Sequence, residues 1–221
     1  MTYNKAGSVQ AVLTRITRLQ ETGAPIVGAN NVFYSDQLVE ASFAPTYSEP
    51  DAIQQPNAAG NTCVFFQPDP SVQGLTIEGV KWCTPDPEVL EFLGGGTILT
   101  GTGSPAPAIG YAAPAVGSPA SKTPVSLEFW SRAIIGGQPA GYFHWLLPYL
   151  RLKFSANWVL NGSDVTLPEF AGTGSENSQW LKGPLNDWPY TVSNRVFQMV
   201  QEATLPEDWE YGYTPALAPT P

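Results

Sequence analysis

The chain is built from short stretches in which apolar and polar residues alternate. Residues 11–19, AVLTRITRL, put Val12, Thr14 and Ile16 on one side and Leu13, Arg15, Thr17 and Leu19 on the other. Successive strand side chains point to opposite faces, so this period of two with β-branched residues predicts a strand. A turn at Glu21-Thr22-Gly23 closes it. Residues 36–44 alternate again, with Asp36, Leu38, Glu40 and Ser42 on one face and Gln37, Val39, Ala41 and Phe43 on the other. Further strands are predicted over 63–67 and 75–83. The most strand-like segments come later. Over 125–134, Val125, Leu127 and Phe129 alternate with Ser126, Glu128, Trp130 and Arg132. A long aromatic run follows over 142–154, and Gly136-Gly137-Gln138-Pro139 joins the two as a hairpin. Pro148 lies inside that run and has no N–H to donate, which predicts an edge or a bulge. Residues 155–190 are loop-rich, with room for one more strand. Residues 191–203 fit either a helix grouping Val196, Phe197 and Val200 or a strand alternating Val196, Gln198 and Val200. The strand is preferred.

One short helix is predicted, with Thr84 as cap, Pro85 at its first position and Val89, Leu90 and Leu93 on its buried side. Asp86, Glu88 and Glu91 suit the helix dipole, and Gly94-Gly95-Gly96 ends the helix. The remaining segments read as irregular: an arm over 1–10, long loops over 45–61 and 100–124, and an acidic, Pro-rich tail over 206–221. No repeat of solenoid length occurs. The pattern predicts one mainly β domain spanning 1–221, with one helix and long loops.

Composition sharpens this picture. Gly (21) and Pro (22) cut the chain into short pieces, while 43% hydrophobic residues supply a core. Charged residues are only 13%, and the net charge is −9, which argues against tight nucleic-acid binding through clustered cations. The charge is uneven: residues 41–93 carry −6, 94–160 carry +3 and 161–221 carry −6. Acidic and basic faces of this kind allow copies to dock head to tail. The N-terminal residues lack the apolar core of a signal segment, and no apolar run is long enough to span a bilayer, so neither export by such a leader nor a membrane span is expected. Cys63 and Cys83 are expected to be free, buried thiols in a reducing compartment.

Candidate chemistry is sparse. The single histidine, His144, sits between Phe143 and Trp145 and reads as a packed residue rather than a base. No Gly-x-Ser-x-Gly elbow, metal-ligand spacing or Walker loop is present. A glycosidase pair would require Glu128 with Glu169 or Asp164, chosen from 19 acids that generate many chance pairs. Neither catalysis nor a cofactor is expected. The tryptophans raise a second possibility, a carbohydrate-binding or adhesion sandwich with platforms among Trp130, Trp145, Trp158, Trp180, Trp188 and Trp209.

The segments VSLEFWSRAI and GYFHWLLPYLRLKF, then Gly183-Pro184-Leu185-Asn186-Asp187-Trp188-Pro189 and Asn194-Arg195-Val196-Phe197, resemble the major tail tube proteins of long-tailed actinobacteriophages. The resemblance covers about a third of the chain, in its C-terminal half. It implies a β-sandwich or barrel subunit with one flanking helix, assembled into stacked hexameric rings. The implied partners are other copies of the chain, a tape measure protein, and tail terminator and distal tail proteins. The implied location is the virion tail, assembled in the host bacterial cytoplasm, with DNA passing through the lumen unbound and no membrane involved. An acidic lumen would let phosphates slide, and Asp36, Glu40, Glu78 and Glu128 are the candidate lumen carboxylates. A capsid decoration protein shares the same assembly logic.

Overall fold

The computed structural model describes residues 6–104, 106–119, 123–155, 167–207 and 209–220. In chain order the elements are β1 (Gly7–Arg18), β2 (Gly28–Ser35), β3 (Leu38–Ser48), β4 (Ile53–Pro56), β5 (Thr62–Phe66), β6 (Ser71–Trp82), α1 (Pro87–Gly94), β7 (Thr97–Thr100), β8 (Ala108–Ala112), β9 (Val125–Ile135), β10 (Gln138–Phe154), β11 (Glu169–Gly174), β12 (Gln198–Glu202) and β13 (Gly212–Ala216). The fold is mainly β. One nine-stranded antiparallel sheet runs in the order β13-β2-β1-β9-β10-β11-β6-β3, with β12 also paired to β10. Two separate hairpins, β4–β5 and β7–β8, stand outside it.

The alternation along β1 and β9 becomes two buried faces. Ile16, Leu127 and Phe129 enter the main core, where Leu75, Ile77, Val80 and Trp82 of β6 and Val89, Leu90, Phe92 and Leu93 of α1 pack against them. The sheet curls to make this core. Phe43 of β3, at one end of the strand order, packs its ring 6.0 Å from Phe129 and 6.1 Å from Trp145. Leu13 and Trp130 face the opposite way, and the chain after β11 crosses that second face. It brings Trp180, Trp188 and Val192 down onto Leu19 and Leu146. Covered on both sides, β9 is buried from Val125 to Ser131.

Pro148 sits where the partner of β10 changes. Tyr142–Leu146 pairs with β12 and Leu150–Phe154 with β11, while the ladder to β9 slips between Leu147 and Leu150. The missing N–H therefore breaks no ladder bond. The Pro148 carbonyl accepts a 2.9 Å bond from the Asn177 side chain, which also donates to the Gly23 carbonyl at 2.8 Å. Gly23 has φ +94, and a Cβ there would lie 2.3 Å from Asn177 Oδ1, so the first turn demands glycine.

Several expectations require correction. The helix cap is Asp86, not Thr84: its carboxylate accepts from the Glu88 N–H at 2.8 Å, and Pro87 rather than Pro85 opens the helix. The Thr-Pro-Asp-Pro run offers the cap signature twice. The Cys83 N–H is held by the Gln37 carbonyl at 3.0 Å, so the chain is still leaving the sheet at the first of them. The 45–61 loop is in part strand, since β3 runs to Ser48 and β4, within it, pairs with β5. Likewise β8 lies within 100–124 and pairs with β7. The tail contains β13, which closes one edge against β2, and the Tyr211 hydroxyl donates to Asp86. The N-terminal arm already enters β1 at Gly7. The cysteines are free, as expected, but neither is buried: Cys63 is exposed on the β4–β5 hairpin, and Cys83 is half-buried. Among the described residues, no helix is long and apolar enough to cross a membrane.

Candidate functional site

The second face of the sheet carries a buried charge cluster at its centre. Cross-strand neighbours Arg15 and Glu128 come from β1 and β9, at positions where the alternation turns both side chains to the same side. Neither side chain has any exposure. Arg15 donates to Glu128 through Nε at 2.6 Å and Nη2 at 2.5 Å. The rest of its fork reaches Asp187 at 2.5 and 2.9 Å and the Tyr34 hydroxyl at 3.1 Å. Its guanidinium also lies 5.5 Å from the Trp130 ring centre.

His144 of β10 extends the cluster. Its Nε2 meets Glu128 at 3.1 Å and its Nδ1 meets Glu202 of β12 at 2.9 Å. The imidazole stacks on Trp130 at 4.0 Å and takes the edge of Trp188 at 4.7 Å. Glu202 also accepts from Trp130 Nε1 at 2.9 Å. Asp187 belongs to the chain that crosses this face and Glu202 to β12 of the sheet, so the cluster fastens the covering segment to the sheet through Asp187.

Ionisation follows from this geometry. Burial alone would raise the Glu128 pKa, but the Arg15 charge and the bonds from His144 and Arg15 outweigh it and hold the carboxyl at about 2. For His144, burial pushes down, and the bonds to Glu128 and Glu202 overcome this and raise its pKa. Glu202 is pushed up by burial and drawn further down by its bond to His144. The two carboxylates that face the His144 ring nitrogens favour the protonated imidazole, beside a guanidinium that also lies between two carboxylates.

Both imidazole nitrogens are engaged inside the protein, so His144 has no lone pair to offer a substrate. Asp187 and Glu202 border an open cavity of about 350 Å3 that is also lined by Thr204, Leu205 and Glu207. Among the described residues, no group of His, Cys, Asp and Glu has the arrangement of a metal site.

Sequence reasoning named four carboxylates, and the structure divides them. Glu40 and Glu78 lie exposed on the outer face of the β3–β6 ladder, where Lys81 pairs with Glu40 at 2.7 Å and Ser42 donates to Glu78 at 2.9 Å. Asp36 is exposed in the β2–β3 turn. Glu128 is not a surface carboxylate and cannot line a lumen: its cross-strand partner is Arg15 rather than solvent. A bulge between Leu38 and Glu40 also breaks the alternation of that strand, burying Leu38 while Glu40 stays exposed. The Glu128–Glu169 pairing is not assembled. Glu128 lies in the buried cluster, Glu169 lies opposite Lys81, and Asp164 falls outside the described residues.

The tryptophans fare likewise. Trp130, Trp180 and Trp188 are buried, Trp145 and Trp209 are half-buried, and Trp158 lies outside the described residues. Arg15, Asp187 and Glu202 were not singled out from sequence. Arg15 had a readable signal, an arginine in register with leucines on an alternating strand, which on a buried face requires a carboxylate partner. Glu128, Trp130, His144, Asp187 and Trp188, five residues of the quoted segments, converge here. A scan against protein-family models finds no match, and a search of curated proteins finds no significant relative.

Proposed function

We propose that this chain is a non-catalytic, self-assembling structural subunit, and that its assembly is the tube of a bacteriophage tail. The observation that carries the assembly reading is the β4–β5 hairpin. Every residue of both strands is exposed, including Ile53 (59%), Val64 (52%), Phe65 (62%) and Phe66 (58%). A two-stranded hairpin is marginal in water without a packed face, and four large apolar side chains in contact with solvent mark a protein interface. Leu99 and Ile109 expose a second apolar site on the β7–β8 hairpin. Among the described residues, β3, β12 and β13 each pair with a single strand and so present sheet edges, which ring closure would remove.

The tube rests on the sequence resemblance. In that reading, six copies form each ring and the rings stack around a tape measure protein. Tail terminator and distal tail proteins bound the tube's ends, and DNA later passes through the lumen unbound. Assembly takes place in the host bacterial cytoplasm. Asp36 and Glu78 remain the candidate lumen carboxylates, while Glu40 is paired with Lys81. Of the tryptophans offered as sugar platforms, those described are buried or half-buried, which supports the structural reading over the carbohydrate-binding one.

Negative-stain electron microscopy of the purified chain, alone and co-produced with a tape measure protein, tests the reading. Rings or tubes with six-fold end views are expected. A monodisperse monomer at high concentration under both conditions overturns it.

A further inference from the structure

The exposed β4–β5 hairpin has two distinct sides. Cross-strand pairing sets Ile53 opposite Phe66 and Gln55 opposite Val64, so Ile53, Val64 and Phe66 share one face. From Ala52 to Pro68 the chain carries no charge. Tyr47 (59%) and Val72 (52%), paired at the end of the β3–β6 ladder, extend this apolar surface to the base of the hairpin. The exposed part of the three large side chains on this face comes to roughly 300 Å², at the level where a patch on a monomer marks an interaction site.

A receptor of matching character lies elsewhere on the same chain. An open groove of about 360 Å3 runs between β1, β3, β9 and β10, with Ala11, Val39, Ala41, Phe43, Phe129 and Trp145 forming its apolar wall. Val39 is 51% exposed there. Among the described residues, the one charged side chain lining it is Glu40, already paired with Lys81 at 2.7 Å. An uncharged hairpin can enter without leaving an unpaired charge behind.

Hairpin and groove sit towards opposite ends of one ladder. The hairpin rises from the Ser48–Ser71 end, and the groove spans Leu38 to Phe43. At about 3.3 Å per residue the groove begins about 17 Å from the hairpin's base and ends about 33 Å from it. The hairpin's complete exposure shows that it does not occupy its own groove.

We infer that the Ile53–Val64–Phe66 face of one copy docks into the Val39–Phe43–Trp145 groove of another. Donor and acceptor are different surfaces, so the contact is head to tail and repeats from copy to copy without self-saturation. The inference rests on the self-assembly reading above and specifies its contact.

Two experiments on the full chain test it. Val39→Cys and Val64→Cys are combined with Cys63→Ser and Cys83→Ser, and the protein is oxidised at a concentration where the wild type assembles. A non-reducing gel should show a ladder of dimers, trimers and longer species. An internally linked monomer, or no crosslink in assembled material, overturns the docking.

The second experiment uses complementary defects. Val64→Asp/Phe66→Asp blocks the donor and Val39→Asp blocks the acceptor. All three positions are exposed, so far-UV circular dichroism should be unchanged. Each variant alone should stay monomeric, and a 1:1 mixture should stop at dimers. Wild-type protein that never assembles overturns the self-assembly reading together with this one. Assembly that persists in either variant overturns the docking alone.

Discussion

Replacing Arg15 with methionine removes the central cation of the buried cluster while keeping much of the side chain's apolar volume. Five hydrogen bonds disappear: two to Glu128, two to Asp187 and one to Tyr34. Asp187 is partly exposed and recovers water, so its loss is small. Glu128 cannot recover water, because its side chain has no exposure and only His144 remains beside it. Breaking a buried pair by deleting one partner costs about 3–5 kcal/mol. Urea denaturation followed by tryptophan fluorescence, at a concentration where the chain is monomeric, should show a loss of that size for Arg15→Met. The double variant Arg15→Met/Glu128→Leu removes the stranded carboxylate and should regain most of it, because buried ion pairs replaced by apolar residues are often neutral. A loss below about 1 kcal/mol for the single variant would mean that the cluster does not hold the covering segment, and the reasoning would fail. A double variant no more stable than the single one would place the cost in lost packing rather than in the uncompensated charge.

The same cluster sets a pH dependence. His144 has a raised pKa, so its stabilisation is full below the ordinary histidine value of 6.5 and is lost as pH rises through the folded value. Glu128 and Glu202 have lowered pKa values, so theirs is full above the ordinary 4.5 and is lost as pH falls. Stability should therefore peak between these two ordinary values, and His144→Gln should flatten the alkaline limb in thermal melts. At the helix, Asp86→Ala removes both the cap and the Tyr211 bond and should cost about 1–2 kcal/mol in denaturation, whereas Thr84→Ala should change nothing, since Thr84 is exposed.

Period-two alternation was enough to find β1 and β9 and to sort side chains along them onto two faces, and apolar or aromatic runs located β5, β6 and β10. Strand sterics fix that sorting wherever the ladder is regular, which is why Ile16 and Leu127 enter one core and Leu13 and Trp130 the other. The hairpin at Gly136-Gly137 and the break at Pro148 were legible for the same reason, since each depends on the conformational limits of a single residue. Bulges were not legible. The one after Leu38 separates buried Leu38 from exposed Glu40, and nothing local to 36–44 announces it. Strands inside Gly- and Pro-rich segments were also hidden, because β8 and β13 form only when a partner strand supplies their hydrogen bonds.

The charged residues divide along the same line. From the sequence, Glu128 was one acid among 19, and an exposed position was a fair expectation. Tertiary structure alone decided that β1 would pair with β9 and that the chain after β11 would fold across both, sealing Glu128 between Arg15 and His144. Local pattern determines which way a side chain points. Whether water or a counter-charge meets it there depends on contacts between residues 113 and 172 positions apart, and those exist only once the sheet has formed.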